Sequence, residues 1–153
     1  MASRSMTDSL SFSSAFLSTA PRPLPILRRL ASTRFSFTLL GISSRIEYKF
    51  RDNRLYGAEY IIEQDDVNPS RFYEDFKALK SFLRQSYNVP VSDEKSWTND
   101  IYKGDENNWG FAISLGFLTC KTSWQNATTK IFLTQTGGNH LINTSIQYAM
   151  RQK

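Results

Sequence analysis

A chain of 153 residues with 40% hydrophobic and 14% aromatic content has enough apolar side chain for one folded domain and little left for a second. Its one cysteine, Cys120, excludes an intrachain disulfide, and no apolar run reaches the length of a membrane-spanning helix. The formal charge of +5 suggests a nucleic-acid or anionic-membrane partner until it is divided along the chain: Arg4, Arg22, Arg28, Arg29 and Arg34 precede Ile42 against the single acid Asp8, and from Ile42 onward basic and acidic residues nearly balance.

Residues 1–34 are rich in Ser and Thr, carry Pro21, Pro23 and Pro25, and lack a sustained apolar period. They read as a disordered basic leader. The same composition fits an organellar transit peptide, with Leu24 to Ala31 able to form a short amphipathic turn, and it fits a secretory signal poorly because the arginines follow the apolar stretch. The leader reading is adopted, and it sets the compartment no more narrowly than a soluble protein.

Residues 35–153 read as a single α+β domain. Arg34 to Leu40 forms a first strand, and Ile46, Tyr48 and Phe50 line one face of a second. Arg51-Asp52-Asn53-Arg54 supplies turn chemistry, and Leu55 to Ile62 alternates Tyr56, Ala58, Tyr60 and Ile62 against Gly57, Glu59 and Ile61. Asn68 and Pro69 open a helix as cap and first residue. Phe72, Phe76, Leu79, Phe82 and Leu83 recur at helical spacing, and Asn88 and Pro90 close it. A polar loop follows. Trp109, Phe111, Ile113, Leu115 and Phe117 then alternate with small residues as a long strand, with Gly110 and Gly116 open to close approach by another element. Thr122 to Trp124 and Thr129 to Gln135 continue the meander, a turn falls at Gly137-Gly138-Asn139, and Leu141 to Ala149 closes it. The expected fold is an antiparallel sheet of five to six strands with one main amphipathic helix packed on it, in the order β-β-β-α-β-β-β.

The chemistry-bearing residues are few. His140, the only histidine, follows a glycine-rich turn, where an exposed loop side chain is the ordinary case. Cys120 lies within a strand and reads as an inert buried thiol. Acids cluster at Asp65-Asp66, Asp93-Glu94, Asp100 and Asp105-Glu106, all in expected loops, without calcium-loop spacing. No Cys/His spacing suggests zinc and no glycine loop cradles a phosphate, so no metal or cofactor is expected. Trp97, Asp100, Tyr102, Trp109 and Trp124 form the candidate ligand-binding set, with the indoles and the phenol as a stacking platform for a sugar or base and the carboxylate beside them. No basic stripe runs among them, which disfavours nucleic acid.

Several stretches together resemble an uncharacterised family of small bacterial α+β domains. They are Ile46 to Phe50 with Arg54 to Tyr60, Tyr73 to Lys80, Asn108-Trp109-Gly110 through Leu115-Gly116-Phe117-Leu118, Trp124 with Thr129-Lys130-Ile131, and Ile142 to Tyr148. The likeness runs from about Gly41 to the C-terminus. It implies the fold and a bacterial origin but no activity. The family carries a further Trp-Gly-containing strand and helix before the hairpin that residues 1–34 do not match, so the chain reads as a truncated or re-started copy. The expected consequence is an incompletely covered sheet, able to self-associate or to be covered by Leu24 to Leu30. The functional expectation is a non-catalytic binding or scaffold domain for a protein or small ligand. The alternative is a hydrolase using the loop carboxylates near Asp100.

Overall fold

The computed structural model describes residues 34–63 and 67–151. The proposed leader, the Leu24 to Leu30 cover and Asp65-Asp66 lie outside the described residues. The fold is α+β. Its antiparallel sheet has seven strands, not five to six, in the order β1-β2-β3-β7-β6-β5-β4, and two α-helices are present among the described residues. The strands are β1 (Arg34–Leu39), β2 (Ile42–Arg51), β3 (Arg54–Ile62), β4 (Ser92–Trp97), β5 (Leu118–Gln125), β6 (Thr129–Gly138) and β7 (Leu141–Met150). The helices are α1 (Pro69–Tyr87) and α2 (Trp109–Ser114), the latter preceded by a 3-10 turn at Glu106–Asn108. The chain divides into two compact units, one of residues 34–63, 125–131 and 146–151, the other of residues 67–124 and 132–145.

In the first unit, two-residue turns close both hairpins. Asp52 and Asn53 take φ of 49° and 64°, a conformation their short polar side chains tolerate. Leu40 takes φ 54° beside Gly41 at 76°. Strict alternation in β3 fails at one point: the β2–β3 register shifts between Lys49 and Phe50, so Phe50 faces Leu55 and Tyr56 is the extra residue. Leu55 turns inward at 3% exposure and Tyr56 turns out at 38%, the reverse of the face expected for Tyr56. Ile46, Ala58, Tyr60, Ile62, Ile131, Ile146 and Tyr148 complete this core, with Tyr60 edge-on to Tyr148 at 5.6 Å. Gly57 is required there, because a β-carbon on it would stand 2.7 Å from the Tyr148 carbonyl oxygen.

In the second unit, α1 begins as its sequence dictates, with the Asn68 side chain accepting from the Ser70 amide at 3.1 Å and Pro69 in the first turn. Tyr73, Phe76, Leu79 and Leu83 are buried, while Phe72 and Phe82 are half-buried. Each fully buried side chain contributes about 1.5–3 kcal/mol. Asn88 ends the helix at φ 68°. Three side chains tie α1 to strands: Trp124 Nε1 donates to the Asn88 carbonyl at 3.0 Å, Gln135 Nε2 donates to the Phe72 carbonyl at 2.8 Å, and Lys80 pairs with Asp93 of β4.

Three expectations are corrected. The long strand expected over Trp109 to Phe117 is instead α2, entered from the 3-10 turn that precedes it, and a tight exit through Gly116 at φ 79°. Asp105 starts this helical run, its carboxylate accepting from the Asn107 amide at 3.1 Å and its carbonyl from the Asn108 amide at 3.0 Å. The small residues mark the seat of a helix: an ideal β-carbon on Gly110 would lie 2.2 Å from the Pro69 carbonyl oxygen. Second, the polar loop after Pro90 contains β4, whose exposed charged sequence has little strand propensity and is held by its register with β5. The order is therefore β-β-β-α-β-α-β-β-β. Third, the last turn is centred on Asn139 and His140, at φ 52° and 63°, while Gly137 and Gly138 belong to β6.

Glycine is a poor helix former, so Gly110→Ala would gain up to about 1 kcal/mol from propensity alone. The clash with Pro69 reverses the sign, and a net loss of about 1–3 kcal/mol is expected in chemical denaturation. Gly104→Ala, with nothing within 4 Å of its β-carbon, is expected to leave the midpoint within experimental scatter.

Candidate functional site

The candidate residues all belong to the second unit, and the structure brings together only some of them. Trp97 ends β4 and Trp109 opens α2; their rings meet edge-to-face at 5.7 Å. Trp109 also meets Tyr73 of α1 edge-on at 5.7 Å, donates from Nε1 to the Lys103 carbonyl at 3.2 Å, and carries the Lys95 ammonium 5.7 Å from its ring centroid. Tyr73 in turn stacks on Phe76 and lies under the Lys77 ammonium at 5.1 Å. With these neighbours the Trp109 ring serves packing rather than an open stacking shelf.

Tyr102 joins a second group of rings, edge-on to Phe111 at 5.6 Å and stacked on Phe117 at 6.5 Å. Beside it Ile101 is 69% exposed, and Phe111 is 36% exposed. The loop that holds them is a chain of turns in which Asp100 accepts from the Lys103 amide and Tyr102 from the Asp105 amide, both at 3.1 Å. Thr98 fastens the loop to the exit of α2 through the Gly116 carbonyl at 3.0 Å. Trp124 stands apart from both ring groups, buried to 1% exposure with its indole nitrogen committed to α1. Phe111 and Phe117 were legible only as the bulky face of a strand, and Tyr73 was overshadowed by Phe72 in the helical pattern. The adjacent turn signal at Asp105-Glu106-Asn107-Asn108 was the available clue to a helix.

The acids have structural partners. Asp100 lies 3.5 Å from the Lys103 ammonium, Asp105 caps the 3-10 turn and also accepts from Asn108 Nδ2 at 2.7 Å, and Glu106 and Glu74 share Lys77. Hydrogen bonding to Glu74 is the largest effect raising the Lys77 ammonium above its ordinary range. Burial works against charge on Asp93, but hydrogen bonds from Lys80 and Thr122, with the charges of Lys80 and Lys95, outweigh it and hold the carboxyl below its usual range. Among the described residues no group of three His, Cys, Asp or Glu side chains is placed to hold a metal ion.

Cys120 sits opposite Lys95 in the β4–β5 register, yet burial dominates and pushes its thiol up to about 11 despite Lys95 and Lys80. Burial also raises Tyr73 well above the ordinary phenol value. Both groups hold their protons more tightly when folded than when unfolded. Stability from them is complete below about pH 9, and is lost as pH rises through the folded thiol value and beyond it into the phenol range. Alkaline titration should show this loss, and Cys120→Ala should remove its earlier part. In the native protein at neutral pH, Cys120 should not react with a disulfide reagent such as DTNB until the chain is unfolded.

His140 is exposed and occupies the second position of a turn that favours Asn-Gly. His140→Gly is therefore expected to raise the unfolding midpoint by removing left-handed strain of about 1 kcal/mol, less the entropy glycine adds to the unfolded chain. A lowered midpoint would show that the imidazole makes a contact that holds the turn. No helix among the described residues is long and apolar enough to cross a membrane. No family model, curated protein or solved structure matches this chain.

Proposed function

We propose that the chain is a non-catalytic protein-binding domain whose contact surface is the apolar rim of Ile101, Tyr102, Phe111 and Phe117. The observation that carries this reading is the exposure of Ile101 and Phe111 beside rings that pack on one another. Ordered aromatic side chains supply contact area at low entropic cost, which is why they are enriched at the centres of protein interfaces. A protein partner fits better than a sugar or base, because the faces of Trp109 and Tyr102 are shared with neighbouring rings and with Lys95. The competing reading, hydrolysis by loop carboxylates near Asp100, requires two acids converging on one substrate. Asp100 and Asp105 instead stabilise successive turns of their own loop.

The test is selection of peptides from a displayed random library on the immobilised chain, repeated with the double variant Ile101→Ser, Phe111→Ser. The expected result is enrichment of peptides with apolar or aromatic anchors. The variant should bind them at least about a hundredfold more weakly with unchanged circular dichroism, since each of the two apolar contacts contributes about 1.5–3 kcal/mol. Peptides that bind the variant equally well would place the surface elsewhere. Hydrolysis in a substrate panel that disappears in Asp100→Asn would replace the binding reading with the enzymatic one.

A further inference from the structure

Charge divides unevenly between the two units. Over the described residues the second unit holds seven basic and seven acidic side chains, whereas the first holds seven basic and four acidic ones. The excess gathers at one end of the first unit. Arg51 and Arg54 face each other in register across the turn that joins β2 to β3, a like-charged pair that repels unless an anion joins it. The Gln147 side chain donates to Glu59 at 3.1 Å, and a β-carbon on Gly57 would lie 3.9 Å from the Ala149 Cα, so β7 runs beside β3 and brings Arg151 level with Leu55. The Arg151 amide donates to the Thr128 carbonyl at 2.8 Å, which sets Lys130 of β6 next in line. Leu55 and Ile131 are buried, so their neighbours Arg54 and Lys130 turn to the outer face. Four cations therefore stand at the ends of four neighbouring strands, spread over about 14 Å at the usual strand spacing. All four are exposed, and among the described residues none is paired with a carboxylate. Arg51 lies over the Tyr56 ring at 5.0 Å, and Arg151 donates to the Asn126 carbonyl at 3.1 Å. The rest of the chain is a poor source of the missing anion. The residues before Arg34 hold four arginines and one acid, and Asp65-Asp66 follow the opposite end of β3 in the sequence.

We propose that this end of the first unit binds an extended acidic segment of a partner protein, whose carboxylates are taken by Arg51, Arg54, Arg151 and Lys130. The proposal takes the class of partner from the protein-binding reading above, but not the surface. Nucleic acid fits less well, because base stacking needs an open ring and the one large ring exposed here, Tyr56, already carries the Arg51 guanidinium. An anionic membrane fits less well because Asp52 stands at the apex of the turn, between the two arginines, and would meet the surface first. An extended chain can cross the strand ends beside that apex. Its alternate side chains recur about every 7 Å, within reach of long cationic side chains stepped about 5 Å apart from strand to strand.

The test measures fluorescence anisotropy of a labelled, end-capped peptide of alternating Glu and Ser against the full chain, at low and at raised salt. Binding that weakens as salt rises is expected, because exposed pairs are screened. The double variant Arg54→Glu, Lys130→Glu removes two pairs, which alone weakens binding about twofold to thirtyfold, and the reversed charges add repulsion. Its unfolding midpoint should hold or rise, since an acid then faces Arg51. Arg84→Glu with Lys121→Glu makes the same change in net charge at exposed sites of the second unit and should leave binding close to that of the parent chain. The rim variant Ile101→Ser, Phe111→Ser should also keep it, so failure of the rim and failure of this surface are told apart. Absence of binding at low salt overturns the proposal, and so does binding that Arg54→Glu, Lys130→Glu retains, whether through the arginines before Arg34 or elsewhere. A lowered midpoint in that variant overturns it by showing that Arg54 or Lys130 serves the fold. A single-stranded oligonucleotide or phosphatidylserine vesicles bound more tightly than the peptide, and released by the same variant, would reassign the surface to phosphate and overturn the acidic-segment assignment.

Discussion

Backbone contact at both ends of α2 is the constraint on which the second unit depends. At its start Gly110 lies against the first turn of α1, and at its end the Ile113 carbonyl lies so close to Gly137 that an ideal β-carbon there would be 2.1 Å from the oxygen. The Ser114 carbonyl also accepts from the His140 amide at 2.9 Å, so the β6–β7 turn is fastened to the same helix end. Only glycine permits either approach. A six-residue helix has little stability of its own, and its form here is set by what it touches. Once α2 is seated this way, Trp109 meets Tyr73 and Trp97, and Phe111 is left at the surface against Tyr102. The apolar rim follows from the backbone fit.

Polar side chains then fix α1 in register with the strands of its unit. Gln135 is fully buried, and its amide nitrogen serves both the Phe72 carbonyl and Thr144 Oγ1, at 2.8 and 2.9 Å. The carbonyl can only accept, so it dictates which end of the amide faces α1. Asp93 is held by Thr122 and Lys80, and Trp124 by Asn88. Leaving a buried polar partner unsatisfied costs about 1–3 kcal/mol, which makes such bonds effective selectors of one arrangement over its neighbours. The groups with chemical potential near α1, Cys120 and Tyr73 among them, are thereby enclosed in structure.

The elements legible in the sequence were those whose determinants are local. Asn68 and Pro69 define the start of α1, Phe76, Leu79 and Leu83 define most of its buried face, and Asp52-Asn53 define a hairpin, because capping, periodicity and turn conformation act within a few residues. The stretch from Trp109 to Phe117 reads as a strand because alternating large and small residues satisfy a period of two. The burial of Gly110, Ala112, Ile113 and Ser114 shows that the small residues answer to neighbours distant in sequence, Pro69 and Gly137. β4 escaped for the opposite reason, since its pairing with β5 owes nothing to its own composition. The bulge that turns Tyr56 outward adds a residue to β3 next to Gly57, a shift that the period-two alternation does not reveal. In the candidate set, the meeting of Trp97 with Trp109 depends on α2, while the burial of Trp124 follows from its place in β5.

Charge contributes to this molecule mainly by being neutralised. In the first unit Glu47 and Glu59 stand opposite each other across β2 and β3, an arrangement that repels on its own. Arg45 lies 3.4 Å from Glu47 and 2.9 Å from Glu63, Lys49 lies 3.0 Å from Glu59, and Gln147 donates to Glu59 at 3.1 Å. The acids and bases alternate into a ladder, so this strand face presents little unbalanced charge. The second unit repeats the pattern with Lys77, Lys80 and Lys103 against Glu74, Glu106, Asp93 and Asp100. Long-range steering by a net field needs a surplus of one sign, and from Ile42 onward the chain holds almost none. Recognition through the proposed rim would therefore rest on apolar area, which is not screened by salt as a charged interface is.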